Sequence, residues 1–159
     1  MTAMIFLIVK TLHVLSATVL FGTGLGTAFH MWMTHLRGDV RAIAATARNV
    51  VLADWLFTAT SGVIQPVTGV VLVVMQGYDP TTPWLVVAYG LYLIAGVCWL
   101  RVVALQIGIA RITERCVADG RSLPPEYFRA MRAWFWLGWP AFIGLVGAFW
   151  LMVAKPQLW

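Results

Sequence analysis

The sequence predicts an all-α protein, an integral membrane four-helix bundle with an N-out/C-out topology. Three observations predict it. Of the 159 residues, 61% are hydrophobic and only 11% are charged, against roughly 45–50% apolar and about 25% charged in soluble domains. Four segments each supply the roughly 20 mostly apolar residues that a membrane span needs. The basic residues gather in two of the three connections between those segments. Lipid is therefore the main solvent of a single transmembrane domain, residues 1–159.

The spans are expected at about 4–35, 50–76, 84–112 and 127–154. No positively charged stretch precedes the first apolar run, so that run reads as part of the mature fold and not as a cleaved signal. The first connection, Thr34 to Asn49, carries Arg37, Arg41 and Arg48 against Asp39. The second, Gly77-Tyr-Asp-Pro-Thr-Thr-Pro83, holds two prolines and no basic residue, and reads as a tight turn. The third, Arg111 to Arg132, carries five arginines and is broken by Gly120 and Pro124-Pro125. Positive loops stay inside, which places the first and third connections in the cytoplasm of a bacterial inner membrane and both termini outside.

The net charge of +5 follows from this topology. Its arginines are split between two short connections without a recognition motif, so nucleic acid is not expected as a partner. Trp84, Trp150 and Trp159 are expected in an outer aromatic belt, and Trp32, Trp55, Trp134 and Trp136 in an inner one. Cys98 and Cys116 lie eighteen residues apart along one helix, about 27 Å, too far for a disulfide. Pro66 and Pro140 are expected to kink the second and fourth helices. Small residues mark faces where helices meet in lipid. Gly22-Thr-Gly-Leu-Gly26, Ser61-Gly62, Gly69, Gly144 and Gly147 are such positions, and Gly22 and Gly24 would also leave room for a flat cofactor.

Ionisable groups at membrane depth are costly and are functional suspects by default. Here they are Lys10, His13, His30, His35, Asp54 and Arg101, with Gln65 and Gln106 as uncharged company. At 100° per residue, His13, Ala17, Leu20, Gly24, Thr27, Met31 and His35 form one stripe that should face the bundle interior. Lys10 lies beside it, and His30 points elsewhere. Neutral imidazole is a frequent metal and haem ligand. His13 reads either as the axial ligand of a haem held between helices or as a histidine bonded to a neighbouring hydroxyl or carbonyl. His35 is a weaker metal candidate near the interface. His13 and His35 are about 33 Å apart along the helix, so they cannot share one iron. A second axial ligand would come from another residue type, from a second copy of the chain, or not at all. Asp54 and Arg101 are expected to approach as an ion pair between the second and third helices, and Arg101 could instead hold a carboxylate or propionate.

The run Lys10-Thr-Leu-His13-Val-Leu-Ser-Ala-Thr-Val-Leu-Phe-Gly22 resembles the first helix of the HemJ protoporphyrinogen oxidase family and its CopD-like relatives. Trp99-Leu100-Arg101 sits where those proteins carry Trp-Leu followed closely by a basic residue. That resemblance implies haem b bound through His13. This chain has Arg101 where the HemJ pattern has a lysine on helix three, and arginine stays charged and ligates iron poorly. Over nearly the whole chain the sequence is similar to DUF2269, a bacterial family of small predicted integral membrane proteins. The carriers are Leu12-His13-Val14, Phe21-Gly-Thr-Gly-Leu-Gly26, Ala53-Asp-Trp-Leu-Phe57, Gln65-Pro66, Thr68-Gly69 and Gly96-Val-Cys-Trp-Leu100. That similarity implies a fold and brings no assigned activity.

The leading expectation is a haem b-binding membrane protein with a redox role. It would have Lys10 or Arg101 on propionates, a quinone- or porphyrin-like substrate, and a homodimeric or redox partner. The alternatives are a membrane scaffold subunit without cofactor, or a small copper or solute transporter. For copper, Met31 and Met33 beside His30 and His35 are the only hint. Neither a phosphate-binding glycine loop nor a nucleophile elbow is present.

Overall fold

The structure, a computed structural model, describes residues 2–159. Four helices account for most of it: α1 (Thr2–Arg37), α2 (Val40–Gln76), α3 (Pro83–Ala118) and α4 (Pro125–Ala154). Each is long and apolar enough to cross a bilayer, and no strand occurs among the described residues. Four antiparallel spans put both termini at one end, which also carries the α2–α3 turn. The other end holds the arginines and is called here the basic end.

The helices run past the expected boundaries at the basic end. α2 starts ten residues before Val50, and α3 continues six residues past Ile112. The expected basic loops are thus mostly helix, and the first connection shrinks to Gly38-Asp39. Two local causes are visible. Asp39 caps α2, its Oδ1 accepting from the backbone N–H groups of Arg41 at 2.9 Å and Ala42 at 3.3 Å, a standard way to satisfy a helix start. Ile43, Ala44, Ala47 and Val50 then form a buried stripe at helical spacing, with Arg41 and Arg48 on the exposed face. Gly38 closes α1 at φ +74°, where a side chain would be strained.

A 36-residue helix is about 54 Å long and the hydrocarbon layer about 30 Å. Helices of this length overhang the hydrocarbon, and the arginines gather on their extensions at the basic end. There all four helices pack tightly around Met31, Ile43, Val50, Ile109, Tyr127 and Met131. Arg48 and Glu114 pair across its surface at 3.6 Å, an exposed contact of the sort worth about 0.2–1 kcal/mol.

At the opposite end Trp84, Leu85, Ala88 and Leu151 make a second core. Lys155 closes α4 there, donating to the Tyr78 hydroxyl at 2.7 Å with its ammonium 4.9 Å from that ring. In the same turn, the Thr81 hydroxyl and backbone N–H hold the Asp79 carboxyl below the usual carboxylate range. Two tryptophan assignments need correction. Trp84 and Trp134 are buried in the two cores and not in belts, whereas Trp55, Trp136, Trp150 and Trp159 are exposed. The reason is register: the rings of Trp84 and Trp134 fall on the inward faces of α3 and α4.

α1 packs along α2, α3 along α4, and the basic-end half of α2 against α3. The Thr60–Gln76 half of α2 diverges from α3. α2 changes character where it diverges, through a π-helical turn at Asp54–Ala59. About two turns on, Pro66 has no N–H for the carbonyl of Gly62, four residues back. The Tyr92 hydroxyl of α3 donates to that freed carbonyl at 2.6 Å and ties the diverging half back. Tyr92→Phe should lower bundle stability by about 0.6–1.7 kcal/mol, the range of interhelical hydrogen bonds in lipid. A detergent-denaturation titration checks this; an unchanged midpoint would show the latch to be idle.

The Gly22-x-x-x-Gly26 step does not meet another helix. Both glycines are exposed, and an added Cβ at either would touch nothing within 4 Å. The close contacts are elsewhere. A Cβ on Gly144 would lie 3.2 Å from the Leu91 carbonyl, and one on Gly69 would lie 3.2 Å from His13 Cε1.

Candidate functional site: an intramembrane cavity with a polar floor

The divergence of α2 from α3 opens a cavity of about 730 Å³ to which all four helices contribute. That volume lies within the roughly 300–1,000 Å³ typical of small-molecule sites. Its walls are Leu20, Gly24, Phe29, Val63, Ala95, Val97, Phe142 and similar apolar groups. Val63 and Val97 of α2 and α3, and Leu25 and Phe29 of α1, are lining residues that are also exposed, and an open cavity between spans of this length gives onto lipid.

Polar groups are few and lie together. Asp54 and Thr58, one turn apart on the π-helical segment, face Trp99 and Gln106 of α3 and Trp134 of α4. Asp54 is 4% exposed and Gln106 3%. Asp54 Oδ1 accepts from the Thr58 hydroxyl at 2.8 Å. The side chains of Gln106 and Trp99 adjoin the same carboxyl. Yet Asp54 Oδ2, Gln106 Oε1, Trp99 Nε1 and Trp134 Nε1 have no hydrogen-bond partner among the described residues. Buried polar atoms are seldom left so, and each costs about 1–3 kcal/mol. Two acceptors and two donors with incomplete hydrogen bonding thus belong to residues that line one cavity.

The expected Asp54–Arg101 ion pair does not form. Arg101 is exposed and makes no salt bridge among the described residues. Gln106 faces Asp54 from α3, and Arg101 lies five residues earlier, about 140° around the helix. Depth placed the two charges alike; azimuth separates them.

His13 faces inward as its stripe requires and is half-buried. It meets α2 and does not line the cavity. The Thr68 hydroxyl gives its single hydrogen to the Ile64 carbonyl at 2.7 Å. It therefore accepts from His13 Nδ1–H, 2.9 Å away, and Nε2 accepts from the Gln65 amide at 3.1 Å. Both roles are assigned from the network. Ser16, buried on α1, donates to Gln65 Oε1. Lys10 is exposed, 5.8 Å from the Phe6 ring. Gly24 lines the cavity and Gly22 does not. His35 lies at the basic end, its Nδ1 2.9 Å from the Tyr127 hydroxyl. Of the ionisable, amide and glycine positions singled out from sequence, the cavity therefore gathers Asp54, Gln106, Gly24 and Gly62. Thr58, Trp99 and Trp134 join them. Thr58 was legible as one turn from Asp54, whereas Trp99 stood out only through the family resemblances and Trp134 only as a belt residue, and neither reading turned its indole inward.

The cavity does not suit a haem. No histidine, cysteine or methionine lines it to meet iron, and no lysine or arginine lines it to meet propionates. Among the described residues no group of three or more histidine, cysteine, aspartate or glutamate side chains could hold a metal ion.

Fold and site together define a polytopic helical membrane protein with a laterally open intramembrane cavity. The chain belongs to the DUF2269 family, described as predicted integral membrane protein, whose model matches residues 7–156. No curated protein and no solved structure matches it.

Proposed function

We propose that the protein binds a quinone-like molecule from the bilayer, ring on the polar floor and tail along the apolar walls. The observation that carries this reading is the set of four unpaired buried atoms around one lipid-accessible space. A quinone carbonyl accepts, and the indole N–H of Trp134 is free to donate, with that of Trp99, which adjoins the Asp54 carboxyl, as a second donor at the same floor. A quinol hydroxyl donates, and Asp54 Oδ2 and Gln106 Oε1 are free to accept. A site with both kinds of partner suits a ligand that alternates between both forms.

The test is titration of the purified protein with a short-tailed benzoquinone, followed by quenching of tryptophan fluorescence. Saturable quenching is expected. In a parallel anaerobic titration with the corresponding quinol, Asp54→Ala and Gln106→Ala should each weaken binding about tenfold, as loss of one desolvated hydrogen bond would. Non-saturable quenching, or unchanged affinity in both variants, would overturn the reading.

A second reading is haem b on His13, supported by the inward stripe and the first-helix likeness to HemJ. His13 Nε2 would have to exchange the Gln65 amide for iron. Absorption spectra of haem-supplemented protein, oxidised and dithionite-reduced, decide it: a Soret band lost in His13→Ala would establish it, and colourless protein would end it. In both readings a second copy or a redox protein would be the partner, in a bacterial inner membrane with the basic end in the cytoplasm. That sidedness rests on eight of the eleven basic residues. In a chain freed of its own cysteines, Pro80→Cys should react with an impermeant thiol reagent added to whole cells and Ser122→Cys should not; the reverse would invert the topology.

A further inference from the structure

We propose that the groove between α1 and α4 at the basic end is a binding site for an anionic phospholipid headgroup. The groove, of about 300 Å³, is lined by Trp32, His35, Phe128, Arg132, Phe135 and Trp136. It is separate from the cavity at Asp54, although Trp32 and Phe135 belong to the wall between the two.

Its polar groups are donors. Tyr127 is fully buried, and its phenol lies 2.9 Å from His35 Nδ1. Sealed from water, the phenol is satisfied by donating to Nδ1, which leaves the proton of the neutral ring on Nε2. Nε2 has no partner among the described residues. Arg132 is exposed and forms no salt bridge among them. The acidic groups of the basic end are mostly engaged: Glu114 by Arg48, Asp119 by Arg121, and Asp39 by the start of α2. Glu126 is exposed on the first turn of α4. An anion therefore meets an uncompensated guanidinium and an imidazole N–H.

The remaining walls select a lipid over a free anion. Trp32 packs against Phe135 with centroids 4.5 Å apart, and Phe128 and Trp136, from the same groove, are exposed. Indole rings favour the headgroup level of a bilayer. The apolar length of α4 begins in this stretch, so a phosphate on Arg132 would leave its glycerol and first acyl carbons against the aromatic rings. Basic pockets between helices at this depth recognise anionic headgroups in just this way.

Native mass spectrometry of the detergent-purified full chain tests it, with phosphatidylglycerol and phosphatidylcholine added in equal amounts. Phosphatidylglycerol should be retained preferentially. Arg132→Gln should reduce its retention about fivefold, the factor one juxtamembrane basic residue carries. Arg132→Lys should keep most of it, and Arg41→Gln, at the same end on an exposed face, should change nothing. Arg132 is exposed, and circular dichroism would confirm that the variant folds. Equal retention of both lipids overturns the proposal, as does loss in Arg41→Gln equal to that in Arg132→Gln. Inorganic phosphate that displaces the lipid completely at millimolar concentration would make this a free-phosphate site and overturn the lipid assignment.

Discussion

Gly144→Leu is expected to unseat α4 from α3 and to cause the largest loss of stability of any single substitution considered. A Cβ at this buried position would stand 3.2 Å from the Leu91 carbonyl and 3.7 Å from Ala95 Cβ. The first neighbour is backbone and cannot rotate away. Overpacking a close-packed site costs about 1–3 kcal/mol, and the branched Leu side chain must find room beyond the Cβ. The α3–α4 seam is also the most extensive in the bundle. In lipid, close approach is what holds helices together, because hydrophobicity does not distinguish a helix from a tail. Gly22→Leu is the matched control, since a Cβ there meets nothing. Thermal melting of both variants in the same detergent should show a steep fall for Gly144→Leu and almost none for Gly22→Leu. Equal melting would mean that the seam is looser than its geometry.

The second large effect is expected at His13, whatever it does for a cofactor. His13→Ala removes two hydrogen bonds to α2 and leaves the Gln65 amide and the Thr68 hydroxyl facing the gap. Two interhelical hydrogen bonds in lipid amount to about 1–3 kcal/mol. The gap left by the ring adds to this, because Gly69 sits directly against it. Lys10→Ala, one turn away but exposed, should be close to neutral. The measurement is the denaturation midpoint of the cofactor-free protein. If His13→Ala leaves that midpoint unchanged yet abolishes a haem band, His13 serves iron and not the α1–α2 seam. If it lowers the midpoint of colourless protein, the network is its role.

The four spans were legible because they depend on composition and length alone. A run of about twenty apolar residues has no other stable place than lipid, and this holds before any helix meets another. The inward stripe of α1 was legible for a similar reason: the 3.6-residue period fixes azimuth within one helix. Extension of the helices past the bilayer was partly legible. Asp39 before the spacing of Ile43, Ala47 and Val50 is a helix start, but arginines between those residues resemble a loop when only hydropathy is read.

What the sequence could not decide is how one helix is rotated against another. Asp54 and Arg101 have similar depth, and only packing shows that Gln106 and Trp99, not Arg101, face the carboxyl. Gly22 and Gly26 fit a contact motif, but the α1–α2 seam is set instead by His13 against Gly69, Gln65 and Thr68. The cavity has the same origin. The π-helical turn at Asp54 marks where α2 leaves α3, the Tyr92 bond to the carbonyl freed by Pro66 limits how far it goes, and the space between them belongs to no single segment. Period and composition act along one chain, and interhelical azimuth is settled only by side chains that meet across it.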